Sequence, residues 1–346
     1  MSKLNELETH LSSLPRMELA AAPTPIEAMP RLTKAVGGPA LLVKRDDMTG
    51  FATGGNKARQ LEYSMGAAIA AGADMLLVTG AVQSNYMRTA AAAAAKLGMA
   101  CHLQFENRVP DMDFGYYSNG NVLLDRLYGA TTSTFPVGED EAAADASIAV
   151  IAKEHRDKGR KPYLLTLSAD TKPLGTLGYM RCAAEILDQI SGGEPAFDAI
   201  VVPSGSAATH VGMLLGLRLL GSDLLVYGIC VRRDAAAQTA RVKSITRLAE
   251  TLIGCGRLVE DDQVICHDDW LGPGYGRATE STFEAIALAG RLEGMIVDPV
   301  YTAKSLAGTI GLSRVGVFTK AQRVLWVHTG GLPAVFAYGD KMIGHG

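Results

Sequence analysis

Ala199-Ile200-Val201-Val202 runs into Pro203-Ser204-Gly205-Ser206-Ala207-Ala208-Thr209, and a leucine-rich stretch, His210 to Leu220, follows. The short apolar run reads as a buried strand, the small residues as a tight turn and the leucine-rich stretch as a helix. The same order recurs elsewhere. Met75-Leu76-Leu77-Val78-Thr79 reads as a strand, Gly80 to Asn85 as a turn and Tyr86 to Leu97 as a helix. Leu224 to Val231 is a further strand. Val324-Leu325-Trp326-Val327-His328 is another, followed by a turn, Thr329 to Leu332, and a helix start, Pro333 to Tyr338. This alternation predicts an α/β chain with a mostly parallel, twisted sheet and helices on both faces. In such sheets ligands sit beyond the carboxyl ends of the strands. The turns at 80–85, 203–209 and 329–332 all lie at that end and are expected to converge on one site. The alanine run Ala90 to Ala95 reads as a helix face packed closely on the sheet.

The chain has 346 residues, 48% of them hydrophobic, enough for a large core divided over two domains. Charged residues make up 20% and the formal net charge is -3, so nucleic acid is not an expected partner. No apolar run is long enough to span a bilayer, and the N-terminus lacks the apolar stretch of a signal peptide. A soluble, cytoplasmic protein is expected. The five cysteines, Cys101, Cys182, Cys230, Cys255 and Cys266, form no C-x-x-C pair and read as reduced thiols. The histidines show no H-E-x-x-H spacing, so no metal is expected in the chemistry. Gly138 to Asp145 reads as a surface helix entry without a chemical role.

Five short constellations carry possible chemistry. Gly54-Gly55-Asn56-Lys57 permits a sharp turn, with Asn56 as a helix cap and Lys57 at a helix start. The positive end of the helix dipole there lowers a lysine pKa, which Schiff-base chemistry requires. An ordinary exposed lysine would give the same spacing. The segment from Pro203 to Thr209 resembles an anion cradle, with small residues, free amides and the Ser206 and Thr209 hydroxyls. It is neither a Walker loop nor a G-x-G-x-x-G turn, and taken alone it also suits a turn without a ligand. Gln83-Ser84-Asn85 offers amides to a carboxylate and a hydroxyl, Ser84, to a proton transfer. Tyr275 and Tyr301 each stand beside turn residues, in Gly274-Tyr275-Gly276 and Asp298-Pro299-Val300-Tyr301. After the last strand comes His328-Thr329-Gly330-Gly331, whose glycines allow the backbone to lie against a flat ring.

Together these segments resemble the D-cysteine desulfhydrase and 1-aminocyclopropane-1-carboxylate deaminase group of fold-type II pyridoxal-phosphate enzymes. L-cysteate sulfo-lyase is a relative within it. The resemblance rests on Lys44-Arg45-Asp46-Asp47, the motifs around Lys57, Ser84, Tyr275, Tyr301 and Thr329, Asn119-Gly120-Asn121, Pro173-Leu174-Gly175, Gly178-Tyr179 and Arg291-Leu292-Glu293-Gly294. The matches run in order from Pro23 to Phe336. The resemblance implies a tryptophan synthase β-like fold with two open, twisted, mostly parallel sheets. A smaller domain, residues 58–169, would be inserted into a larger cofactor domain made of 1–57 and 170–346. The cofactor would be pyridoxal 5'-phosphate, bound as a Schiff base to Lys57 beside Asn56. Asn85 would contact the ring hydroxyl and Thr329 the ring nitrogen. Gly205, Ser206, Ala207, Ala208 and Thr209 would bind the phosphate. Tyr301 and Tyr275 would stand near ring and substrate. Ser84 would meet the substrate carboxylate or move a proton, and Ser84, Asn85, Tyr86, Ser168, Lys172 and Tyr275 would line the substrate site. A homodimer is the family habit.

The resemblance also orders the reactions. Thr302 stands where the deaminases carry an acidic residue, and Thr329 where they carry leucine. Both differences favour β-elimination from a small amino acid, D-cysteine or L-cysteate, over cyclopropane ring opening. Tyr86 replaces the histidine or glutamine usual after Gln83-Ser84-Asn85, and Ser168-Ala169-Asp170-Thr171-Lys172 replaces a glycine-rich loop. Lys172 would suit an acidic side group such as a sulfonate, or it is a solvated loop lysine. Two other readings stand beside these: a catalytically inactive cofactor-binding protein, and a nicotinamide-dependent oxidoreductase, which the absence of a Gly-rich dinucleotide turn disfavours.

Overall fold

The computed structural model describes residues 2–166 and 172–343. A six-stranded sheet contains β1 (Ile26–Ala28), β2 (Ala40–Lys44), β7 (Ala199–Ser204), β8 (Leu225–Cys230), β9 (Ile265–His267) and β10 (Arg323–Val327), in the order β1-β2-β10-β7-β8-β9. A four-stranded sheet contains β3 (Met75–Ala81), β4 (Ala100–Glu106), β5 (Thr131–Phe135) and β6 (Pro162–Leu165), in the order β5-β4-β3-β6. Only β1 runs antiparallel to its neighbour. Every residue of β3 and β7 is buried, as a parallel strand covered on both faces demands.

The two-residue period of a strand divides the core. Ile200 and Val202 of β7 face the helices Leu174–Ser191, Ala208–Leu219 and Ala235–Ile253, while Ala199 and Val201 face Glu280–Glu293 and Thr302–Arg314. In the smaller sheet Leu76 and Val78 pack under Ala90, Ala91, Ala93 and Ala94, and Met75 and Leu77 meet Ile148 and Ala152 of the helix Glu141–Asp157. The alanine run thus serves close packing. Strands β3 and β7 each run two residues past their expected ends, because Gly80 and Ala81 pair with β4, and Pro203 and Ser204 with β8.

The strands of the four-stranded sheet all lie between residues 75 and 165. The helix Asn56–Ala70 crosses the boundary expected at residue 58 and packs against both Leu174–Ser191 and Asn85–Lys96. Its approach to the first of these is close. A Cβ on Gly178 would meet the Arg59 carbonyl oxygen at 2.0 Å, so no larger residue fits. A buried ion network fixes the same junction. Arg59 bonds Asp46 at 3.0 Å and Glu185 at 2.9 Å, Lys44 pairs with Glu185, and the Tyr179 hydroxyl donates to Asp46 at 2.7 Å. Removing one partner from such a network typically costs about 3–5 kcal/mol. This is the role of Lys44 and Asp46: they hold the end of β2 and the helix start that carries Lys57. Among the described residues, no helix is long and apolar enough to cross a membrane.

Candidate active site

The carboxyl ends of the two sheets face each other across a cavity of about 460 Å³. Asn56, Lys57, Ser84, Tyr86, Lys172, Gly205, Ser206, Ala207, Ala208, Thr209, Tyr275 and Tyr301 all line it. Asn85 and Thr329 are buried and do not form its wall. The Thr329 carbonyl accepts from the Asn56 amide at 3.0 Å, which places Thr329 directly behind the Lys57 turn. Ser168 lies outside the described residues.

The glycines around Lys57 are needed for contact between two turns. Gly55 has φ +106°, and a Cβ on Gly330 would stand 2.6 Å from the Gly55 Cα. Gly55, not Asn56, precedes the helix, and Asn56 is its first residue. The expected cap is therefore corrected: Asn56 instead turns its carboxamide across the cavity wall and donates to Thr209 Oγ1 at 3.0 Å. Gln60, one turn beyond Lys57 on the same helix face, accepts from Lys57 Nζ at 2.9 Å and donates to Thr209 Oγ1 at 2.9 Å. A threonine hydroxyl has two acceptor positions and one hydrogen. Here both acceptor positions are filled, so the Thr209 hydrogen is left for another acceptor. Gln60 is absent from the site residues expected from sequence. Its position three residues after Lys57 is the signal that points to it.

The Lys57 amine is pushed down to about 8. Burial is the first cause and the Arg88 charge the second. The helix dipole invoked from sequence is not needed. Arg88 is itself fully buried and donates to Thr53 Oγ1 at 2.5 Å and to the Ala52 carbonyl. The Tyr86 ring lies 6.0 Å from Lys57 Nζ, and burial pushes its phenol up to about 12.

Across the cavity, Ala207 precedes the helix Ala208–Leu219 with φ +78° and no side-chain cap. A non-glycine residue in this region costs about 1–2 kcal/mol, and such strain concentrates at functional sites. The amides of Gly205 to Thr209 find no acceptor among the described residues. They form an open set of donors at a helix N-terminus, suited to an anion. Ser84 differs. It caps the helix Asn85–Lys96 by accepting from the Met87 amide at 3.3 Å. Asn85 accepts from Asn121 Nδ2 at 3.1 Å, which gives Asn119-Gly120-Asn121 a place behind the site.

The Tyr275 and Tyr301 hydroxyls meet at 2.6 Å. Asp298 holds the Tyr301 turn by accepting from the amides of Val300, Tyr301 and Thr302 and from the Thr302 hydroxyl at 2.7 Å. Buried Lys304 holds the other loop through the carbonyls of Leu271 and Gly274, both at 2.7 Å. Arg108, Arg232, Arg241 and Glu141 also line the cavity. Glu141 corrects the expectation for 138–145: that segment does begin a helix, yet it sends a carboxylate into the site.

A half-buried lysine with a depressed pKa, facing an open cradle of amides, fits an aldehyde that carries a phosphate. This is the site of a pyridoxal-phosphate enzyme. The family model of pyridoxal-phosphate dependent enzymes matches residues 17–330, and the chain belongs to that family. It is 39% identical over 330 residues to a D-cysteine desulfhydrase of Salmonella choleraesuis (strain SC-B67), covering 95% of this chain and 98% of the relative. It is 42% identical over 330 residues to a 1-aminocyclopropane-1-carboxylate deaminase of Methylobacterium sp. (strain 4-46), with the same coverage. The crystal structure of an ACC deaminase homologue aligns with a TM-score of 0.87 and 35% identity, covering 98% of each chain. The fold is therefore that of the fold-type II enzymes, and the chain is a pyridoxal-phosphate-dependent enzyme of the lyase and deaminase group.

Proposed function

We propose that this enzyme removes the β-substituent and the amino group of a small amino acid, with D-cysteine or L-cysteate as the leading substrates. With water, D-cysteine would yield pyruvate, sulfide and ammonia; L-cysteate would yield sulfite in place of sulfide. The observation that carries this reading is Lys57 Nζ, depressed to about 8, in one cavity with Ser84, Tyr301 and the open 205–209 amides. Lys57 would hold pyridoxal phosphate, the 205–209 amides and Thr209 hydroxyl its phosphate, and Asn85, Tyr301 and Thr329 its ring. When bound, this cofactor supplies an electron sink for the carbon next to the substrate amine.

The chain's own residues then direct the reaction. Lys57 Nζ, neutral in a large fraction near pH 8, is one group for the substrate α-proton, and Ser84 Oγ is the other. Ser84 and its neighbouring amides would receive the substrate carboxylate. The Tyr275–Tyr301 hydroxyl pair would hand a proton to the departing group. Tyr86 and Lys172 would shape the side-chain pocket. Ring opening of 1-aminocyclopropane-1-carboxylate is the second reading, kept because one relative carries that name. Against it, Thr302 spends its hydroxyl on Asp298 and is fully buried.

Both enantiomers of cysteine and cysteate, together with the cyclopropane amino acid, should be offered to purified protein. Pyruvate with sulfide or sulfite is expected, and Lys57→Ala should abolish both turnover and the yellow colour of bound cofactor. 2-Oxobutanoate from the cyclopropane would reverse the ranking. The same reading makes the protein a cytoplasmic homodimer, with the two-domain division at residues 58 and 169 supported by the separate four-stranded sheet.

A further inference from the structure

Four arginines and one half-buried carboxylate stand beside the 205–209 turn, and all of them but Arg233 also line the cavity. Glu141 begins the helix Glu141–Asp157, which packs on the four-stranded sheet. It accepts from Arg233 at 3.0 Å and Arg241 at 3.2 Å, and it pairs with Arg232. Burial pushes the Glu141 carboxyl up, but Arg232, Arg241, Arg233 and Arg108 outweigh it and hold the group below the usual carboxylate range. Two of these arginines also reach the turn itself. Arg233 donates to the Gly205 carbonyl at 3.1 Å, and Arg241 Nε donates to the Ser206 carbonyl at 3.3 Å.

A trans peptide points its carbonyl and its N–H in opposite directions. Arginines that draw the Gly205 and Ser206 oxygens toward themselves therefore turn the Ser206 and Ala207 amides the other way. We infer that Arg233 and Arg241, tethered by Glu141, are positioning residues that brace the phosphate-binding turn, so that a side chain from the four-stranded sheet's layer sets how well the six-stranded sheet holds the cofactor's phosphate. This rests on the assignment of the 205–209 turn to that phosphate. The brace also explains how Ala207 is kept at φ +78° without glycine. The excess of positive charge around Glu141 acts in the same direction on a phosphate. Charge and geometry separate at Glu141. Removing its negative charge favours an anion electrostatically, while releasing the arginines unfastens the turn.

The test is a pair of titrations of cofactor-stripped full-length protein, one with pyridoxal phosphate and one with pyridoxal, which lacks the phosphate. Arg241→Met and Glu141→Ala should each weaken pyridoxal phosphate by about tenfold, the scale of one or two lost hydrogen bonds. Pyridoxal affinity should stay within about twofold, which also shows that the variants fold. Arg241→Lys keeps the charge but loses the planar donor fork, so it should weaken phosphate binding as well. Tighter pyridoxal phosphate binding in Glu141→Ala, or full affinity in Arg241→Lys, would show that the arginines act as charge alone and would overturn the brace. Equal losses for both aldehydes would overturn it too, by exposing general support of the fold. If the wild type takes up pyridoxal normally yet gains nothing from the phosphate, the assignment of the turn itself fails.

Discussion

Two strand–turn–helix units of the same plan meet at this site and end differently. After β7 the helix Ala208–Leu219 starts without a side-chain cap, behind a strained alanine, and leaves its amides open. After β3 the helix Asn85–Lys96 is capped by its own serine, and that serine lines the cavity. A helix N-terminus has orphan amides that something must satisfy. The β7 unit leaves its amides open, and under the proposed function that task would fall to the cofactor's phosphate. The β3 unit satisfies its own amide and presents a hydroxyl and a buried arginine, which under the proposed function would move protons and adjust charge. Lys57 stands between the two. Its helix reaches the β7 side through Gln60 and Asn56, and its pKa answers to Arg88 on the β3 side.

The largest effect that separates the units is expected from Ser84→Ala. Losing the cap alone should lower the stability of the cofactor-free protein by about 1 kcal/mol. Losing a proton-transfer or carboxylate-binding group should lower kcat/KM by about 10²–10⁴. Colour from bound cofactor should persist, because the β7 turn is untouched. Thermal denaturation, absorbance and turnover together read all three. A variant that loses the stability and keeps the turnover would reduce the β3 turn to a structural cap and erase the contrast.

Much of this contrast is legible in the amino-acid sequence, because strand and turn chemistry is local. The runs 75–79 and 199–202, and 324–328 up to Val327, lie in parallel strands, and the turns after the first two face one cavity while Thr329 stands behind the Lys57 turn. Lys57, Ser84 and Tyr301 announce themselves by their turn residues. What is illegible depends on long-range approach. Glu141 reads as a solvated helix entry because the arginines that bond it, Arg232, Arg233 and Arg241, lie 91, 92 and 100 residues away in the chain. A helix dipole, which is a local effect, is the cause the sequence suggests for the Lys57 shift. The actual causes are burial and an arginine brought in by the other sheet's helix. Gln60 lies between the two cases. Its spacing from Lys57 is local, but its bond to Thr209 needs the tertiary fold.

The smaller effect sharpens the same contrast through pH. The neutral amine is the form that condenses with an aldehyde, so cofactor uptake by the stripped protein should accelerate as pH rises toward about 8 and level off above it. Below that point the rate should change by about tenfold per pH unit. An unperturbed lysine would keep accelerating toward its ordinary value of 10.5. Arg88→Met removes a like charge and leaves the burial in place. The inflection should therefore move upward but stay below the ordinary lysine value, since burial is the larger cause. Stopped-flow absorbance across this pH range measures the rate directly. An inflection that stays near 8 in Arg88→Met would assign the whole shift to burial, and the β3 unit would then have no part in setting the charge on Lys57.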